Sequence, residues 1–82
     1  MKQIIVVKLG WVLFGTVTER DSTLEVKNTH VVRAWGTIKG LGEIAANGPT
    51  KHTALDPCGH VVIERHAVLF RIDCESDPWK KY

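Results

Sequence analysis

Short runs in which apolar and polar residues alternate limit this chain to a β-rich fold. The clearest run is Thr23–Lys27, where Leu24 and Val26 alternate with polar side chains, as in a strand with one buried face. Glycine and turn-forming residues separate this run from others of β-branched composition. The predicted strands are Lys2–Leu9, Trp11–Glu19, Thr23–Lys27, His30–Trp35, Val61–Glu64 and Ala67–Asp73.

The periodicity changes in the middle of the chain and predicts one short helix. Leu41, Ile44 and the alanine after it are apolar at helical spacing. Gly48 is well placed for a left-handed helix end, and Pro49 prevents continuation. We therefore expect a helix at Leu41–Asn47. Because so short a helix is unstable alone, Leu41 and Ile44 should pack onto the sheet.

The predicted fold is mainly β: a small SH3-like, partly open antiparallel barrel of five to six strands, with one short helix between the fourth and fifth strands. Gly15, inside the second strand, is expected to form a bulge or bend. Residues 1–74 should form a single β-barrel-like domain, and residues 75–82 a polar C-terminal tail that frays or packs on the surface. A partly open barrel leaves a strand edge unpaired, so we also expect a homo-oligomer.

Composition and charge set limits on the class of protein. The chain has 82 residues, 44% of them hydrophobic and 24% charged, which favours one folded domain over disorder. Its apolar runs are too short to cross a bilayer and it shows no signal-peptide pattern, so we expect a cytoplasmic protein with no membrane partner. The net charge of +2 is small for a nucleic-acid-binding domain, so nucleic acid is not an expected partner.

The cysteines and histidines predict neither a metal site nor a catalytic centre. The candidate ligands combine two residue types and are spread along the chain: Cys58, His60, His66 and Cys74. Structural zinc ligands, in contrast, come in closely spaced pairs. A cysteine nucleophile needs a base and a lowered thiol pKa, and no motif here indicates either. We therefore expect no enzyme activity, no metal, no cofactor and reduced cysteines.

The segment around the predicted helix is the candidate ligand site. Gly40 and Gly42 would expose backbone N–H groups at the positive end of the helix, an arrangement that favours an anion. Basic and threonine side chains nearby would add charge and hydroxyl donors, and Trp35 would offer a stacking face for a base. The predicted ligand-binding residues are Arg33, Trp35, Gly36, Thr37, Lys39, Gly40, Gly42, Thr50, Lys51 and Thr53.

A purely structural interpretation of this segment stays open. In that interpretation the glycines only allow tight turns, Trp35 fills the core, and the lysines are solvated. The glycine spacing matches neither a P-loop nor a dinucleotide-binding fingerprint. The motif alone therefore does not decide between a ligand site and a structural role.

The sequence resembles an uncharacterised family of small, β-rich proteins encoded by bacteriophages and prophages. The resemblance lies in Val32–Gly36, Gly40–Ala45, Gly48–Thr50 and the closing strand at 68–72, within a match that spans Leu24–Asp73. Relatives often have Ser-Gly where this chain has Gly-Thr at 36–37, so the helix entry is expected to differ in shape. The resemblance implies a phage origin and a bacterial host cell, but it carries no activity over.

Two functions are compatible with these observations. The first is a phage-type, non-enzymatic binding protein that sequesters a small anionic, nucleotide-derived signal as an anti-defence sponge, as a phage origin would suggest. The alternative is a protein-interaction module that inhibits a host protein through a strand edge or through exposed aromatic residues such as Trp11 and Trp79.

Overall fold

Five antiparallel strands form one open sheet, in the spatial order β4-β3-β2-β1-β5. The computed structural model describes Met1 to Tyr82. The protein has no helix that could span a lipid bilayer. The strands are β1 (Lys2–Val7), β2 (Val12–Glu19), β3 (Thr23–Ala34), β4 (Ala54–Glu64) and β5 (Val68–Asp73), with α1 at Leu41–Asn47 and 3₁₀ turns at Lys8–Gly10, Arg65–Ala67 and Asp77–Trp79. The mainly β class and the bounds of the helix are confirmed.

The third and fourth predicted strands are one continuous strand, β3. The register with β4 shifts between Val26 and Thr29, and Asn28 between them has a φ of 52°. Thr29 is buried, and its hydroxyl donates a hydrogen bond to the Val26 carbonyl at 2.9 Å. The asparagine and threonine therefore make a bulge inside a strand and do not end it. As a result α1 lies between the third and fourth strands of the sheet, and the predicted position between the fourth and fifth is wrong.

Strand β4 also extends further than the sequence predicts. The Asp-Pro-Cys-Gly run at 56–59 has the residue types of a turn, but it pairs with β3, with Pro57 opposite His30 and Gly59 opposite Thr29. Proline is tolerated here because β4 is an edge strand, where a missing N–H costs no ladder hydrogen bond. This irregular pairing lies directly beside the surface described below.

Gly15 forms the predicted irregularity in β2. The register with β3 shifts between Phe14 and Thr16. A Cβ added at Gly15 would lie 2.4 Å from a methyl carbon of Val26 and 2.9 Å from the carbonyl oxygen of Lys27. Only glycine allows the strands to approach so closely, and the resulting bend is the predicted one.

The sheet buries apolar residues on both of its faces. Consecutive residues Ile4 and Ile5 are both fully buried but belong to different clusters. The first cluster lies between the sheet and α1, which contributes Leu41 and Ile44. The second, on the opposite face, consists of Ile5, Val7, Leu13, Val17, Leu24, Val26 and Ile63. Burial on both faces explains the continuous apolar runs of β1 and β2.

The C-terminal tail contributes the largest buried side chain of the protein. Trp79 is 0% exposed, and its ring stacks on Phe14 with a centroid distance of 4.0 Å. Its indole Nε1 donates hydrogen bonds to the carbonyl oxygens of Ile44 at 2.8 Å and Ala45 at 3.3 Å. These carbonyls belong to the last turn of α1, which needs external donors. The expectation that the tail frays or packs on the surface is therefore wrong for Trp79.

Replacement of Trp79 by alanine should destabilise the protein severely. We expect a loss of roughly 3–5 kcal/mol in the free energy of unfolding, because a large core side chain and its hydrogen bond to α1 are both removed. Urea denaturation followed by circular dichroism measures this loss. Trp11→Ala is the matched control, since Trp11 is 57% exposed and should change stability by less than about 1 kcal/mol. Equal losses in the two variants would contradict the assigned role of Trp79.

Candidate functional site

Two of the predicted site residues tie together the loops on either side of α1. The Thr50 hydroxyl donates to the Gly36 carbonyl at 2.9 Å, and the Thr53 hydroxyl donates to the Trp35 carbonyl at 2.6 Å. Gly36 has a φ of 74°, and a Cβ there would lie 2.5 Å from the backbone of both His52 and Thr53. Gly36, Thr50 and Thr53 therefore hold two loops in close contact.

The loop that leads into α1 also forms hydrogen bonds within itself. The Gly40 N–H donates to the Thr37 hydroxyl at 3.0 Å, and that hydroxyl lies 3.0 Å from the Gly40 carbonyl, to which it donates. Gly42 lies within the first turn, with open space where a Cβ would be. Because α1 has only seven residues, few aligned peptide dipoles contribute to any attraction for an anion at its start.

The basic residues of the predicted site do not converge. Lys39 and Lys51 are exposed and form no ion pair, whereas Arg33 pairs with Asp56, with Nε 2.8 Å from Oδ2. Trp35 is partly exposed and does not fill the core. Of the ten predicted residues, only Arg33 lines a cavity. The ten-residue ligand site stays a prediction, and the structure gives its threonines and Gly36 roles in the fold.

A different surface stands out at the turn between β1 and β2. Leu9 is 97% exposed and has a φ of 70°, which is uncommon for a residue other than glycine. Gly10 follows with a φ of 86°, and Trp11 is largely exposed. The Val7 N–H donates to the Trp11 carbonyl at 2.9 Å and closes the turn. We name Leu9, Gly10 and Trp11 the apolar tip.

The apolar tip adjoins a groove of about 390 Å³ across β2, β3 and β4. The groove is lined by Gly10, Trp11, Val12, Val31, Val32, Arg33, Asp56, Pro57 and Cys58. We name it the tip groove. Its volume is within the range of small-molecule and peptide-side-chain sites, and five of its nine lining residues are hydrophobic.

The strand register explains why distant parts of the sequence meet in the tip groove. Leu13 lies opposite Val31, and Val31 lies opposite Asp56, so the three side chains share one face of the sheet. Arg33 is two residues beyond Val31 and Trp11 two residues before Leu13, so alternation puts them on the same face. Val31 also packs against the second core cluster. The groove floor is therefore continuous with the core.

The tip groove contains an exposed ion pair and a thiol whose pKa is not lowered. Arg33 and Asp56 are both largely exposed, so their ion pair contributes little to stability and can exchange partners. Partial burial raises the pKa of the Cys58 thiol, which keeps it protonated at neutral pH. No histidine lines the groove, and no group of three or more His, Cys, Asp or Glu side chains could hold a metal ion.

Sequence reasoning missed the tip and most of the groove. The sequence pattern predicts Leu9 in the first strand and 56–59 in a turn, whereas Leu9 lies in the turn beside the groove and 56–58 line it from β4. One sequence signal was available for the tip: Leu-Gly-Trp at 9–11 puts two large apolar residues around a turn-forming glycine. The groove had no such signal, because it depends on the register between three strands.

Two glycine substitutions test whether the fold requires glycine at position 36 but not at position 42. Gly36→Ala should destabilise the protein by about 1–3 kcal/mol, because the new Cβ would meet the backbone of the 50–53 loop at a positive φ. Gly42→Ala should leave stability unchanged or raise it by up to about 1 kcal/mol, since alanine is the better helix former and nothing obstructs it. Thermal unfolding compares both with the wild type. Equal stability of the two variants would contradict the assigned role of Gly36.

The two thiols should differ in reactivity. Burial raises the pKa of Cys74 to about 11, and Cys58 is exposed with a smaller upward shift. The thiolate is the reactive form, so at about pH 8 a disulfide reagent should label Cys58 slowly and Cys74 only after denaturation, with the Cys58 rate rising as the pH rises. Stoichiometry of labelling before and after urea treatment checks this. Labelling of both thiols at similar rates in the folded protein would contradict it.

Comparison with known proteins does not assign the chain to a family. No protein family matches the sequence, and no curated protein matches it either. The expected phage origin therefore stays a prediction.

Proposed function

We propose that this chain is a non-enzymatic interaction module that binds a partner protein through the apolar tip and the tip groove. The observation that carries the proposal is Leu9, which is 97% exposed at a φ of 70° beside a largely exposed Trp11. A polar residue or glycine would serve this turn better. A leucine held there in a strained conformation supports a role in contact with another molecule.

Burial of the apolar tip would supply most of the binding energy. A leucine side chain gains about 1.5–3 kcal/mol when it leaves water, and tryptophan is among the residues that most often dominate protein interfaces. The tip groove beside them would accept an apolar side chain of the partner over Val31 and Pro57. Arg33 and Asp56 lie at its rim, where an exchangeable ion pair contributes orientation and specificity.

The proposal corresponds to the second of the two functions expected from the sequence, a module that inhibits a host protein. The resemblance to phage proteins supports a target within the bacterial cytoplasm. Trp79 takes no part in this surface because it is buried. Trp11 is therefore the aromatic residue that would be presented to the target.

A nucleotide-type ligand is a second candidate for the same groove. The supporting observation is that an exposed indole and a guanidinium, Trp11 and Arg33, line one cavity of about 390 Å³. Trp11 would stack on the base and Arg33 would bind a phosphate. However, Asp56 already pairs with Arg33, and no other lysine or arginine lines the groove. The partner-protein proposal therefore has the stronger support.

Removal of the apolar tip should abolish capture of a partner without unfolding the chain. Leu9→Asn should preserve or raise stability, because asparagine tolerates positive φ better than leucine. We expect this variant and Trp11→Ala each to weaken binding by roughly 30-fold, the effect of an interface hot spot of about 2 kcal/mol. The measurement is stoichiometric capture from bacterial lysate, followed by calorimetry with the captured protein.

Ile38→Asn is the matched control, because Ile38 is also 97% exposed but lines no cavity. It should bind the partner as the wild type does. Equal partner binding by wild type, Leu9→Asn and Trp11→Ala would refute the proposal. A thermal shift with mono- or cyclic dinucleotides that is lost in both Trp11→Ala and Arg33→Ala would assign the groove to the second candidate.

A further inference from the structure

Strand β5 presents unpaired main-chain groups at one edge of the sheet. The Cys74 N–H donates to the Lys2 carbonyl at 3.0 Å, and Ile72 and Phe70 follow in the same register with β1. Main-chain groups of alternate residues point to opposite sides of a strand. The N–H and C=O groups of Arg71 and Asp73 therefore point away from β1, and no strand pairs with them.

The β5 edge is more regular than the edge at β4. Strand β4 contains Pro57 and shows three register shifts against β3, features that protect an edge from pairing. In β5 the one shift lies at its start, around Leu69, and 70–73 continue in regular register with β1. Phe70 is 51% exposed on this regular stretch. Of the two edges, β5 is the one suited to accept another strand.

We propose that the β5 edge pairs antiparallel with β5 of a second copy of this chain, around a twofold axis at Ile72. In this register Arg71 lies opposite Asp73 of the partner subunit, and Asp73 lies opposite Arg71 of the partner subunit. Each of these pairs exchanges both of its main-chain hydrogen bonds. The two five-stranded sheets then form one continuous sheet.

Charge complementarity selects this register over its neighbours. A register shifted by two residues keeps the main-chain hydrogen bonds. A shift in one direction puts Arg71 opposite the partner's Arg71, and a shift in the other direction puts Asp73 opposite the partner's Asp73. Like charges directly opposite each other destabilise a pair of strands, and opposite charges stabilise it. Among these three registers, only the one centred on Ile72 makes opposite-charge pairs without a like-charge pair.

The charged side chains of this edge lie on one face of the sheet, where each now contacts a residue of an inner strand and would have to exchange that contact for one with the second copy. The Asp73 carboxylate accepts a hydrogen bond from the Gln3 side-chain amide at 2.7 Å, and Arg71 lies 3.5 Å from Glu19 on the same face. On the opposite face, Ile72 would meet the partner's Ile72, with Phe70 next to it. Because one short edge forms a contact smaller than a standard protein interface, we expect a dimer that dissociates on dilution.

The dimer is independent of the proposed function, because the tip groove is lined from the β1–β2 turn, β2, β3 and β4 and by no residue of β5. Pairing through β5 would leave both grooves free and give a bivalent binder. Failure of partner binding and failure of dimerisation are therefore separate results.

Charge reversal tests the proposed register directly. Sedimentation velocity over a range of wild-type concentrations should show reversible dimerisation. Arg71→Asp and Asp73→Arg alone should each weaken the dimer by about tenfold or more, because each puts like charges opposite each other twice. The double variant Arg71→Asp/Asp73→Arg restores opposite charges across the axis and should recover the dimer. Circular dichroism verifies that each variant is folded.

Glu64→Arg, an equal charge reversal on the exposed β4 edge, is the control and should not change dimerisation. Hydrogen exchange provides an independent measurement: the Arg71 and Asp73 amides should be protected at high protein concentration and exchange freely on dilution. A protein that stays monomeric throughout, a dimer insensitive to both single reversals, or a double variant that fails to recover the dimer would each overturn the proposal.

Discussion

The buried indole of Trp79 joins three parts of the fold through its contacts with Phe14 and the end of α1. The indole stacks on Phe14 of the central sheet at 4.0 Å and donates to the Ile44 carbonyl at 2.8 Å. One side chain therefore connects the C-terminal segment, the helix and the sheet. Without it, a helix of seven residues would lose a side-chain donor to its last turn and a large part of its apolar contact. The loops on either side of α1 depend on this helix for their positions.

Burial on both faces of the sheet determines where function can reside. Ile4 and Ile5, or Leu13 and Phe14, occupy opposite cores, so the centre of the sheet has no free face. What remains accessible is the periphery: the turn at Leu9, the groove across the ends of β2, β3 and β4, and the edge of β5. In a domain this small, binding surfaces are therefore confined to turns, rims and edges, where substitutions disturb the core least.

The features of the fold that depend on residues close together in the sequence could be predicted from the sequence. The helix at Leu41–Asn47 and its stop at Gly48 follow from spacing and capping alone, and the bulge at Gly15 follows from a glycine inside a strand. Features that depend on distant partners could not be decided in this way. Asn28 and Thr29 are compatible with a bulge or a turn in sequence, and the structure shows the bulge, in which the Thr29 hydroxyl donates to the Val26 carbonyl.

The candidate site shows the same distinction. Glycine, lysine and threonine around α1 are compatible with a ligand site in sequence, yet Thr50 and Thr53 turn inward to the backbone at 35–36. Only the contact between the two loops shows that these hydroxyls already donate within the protein and are not free for a ligand. The tip groove joins segments at 10–12, 31–33 and 56–58, and no pattern within one segment reveals it. Trp79 likewise lies in a polar segment whose composition gives no sign of burial.

Leu9 is the residue that folding explains least. A domain of 82 residues has a stability of only about 4–12 kcal/mol, at roughly 0.05–0.15 kcal/mol per residue. A left-handed conformation at a residue other than glycine costs roughly 1–2 kcal/mol, and Leu9 has that conformation while its side chain packs against almost nothing. Asparagine or glycine would form the same turn without the cost and without exposing apolar surface to water. The leucine therefore weakens the free protein, and the proposed contact with a partner is what would offset this cost.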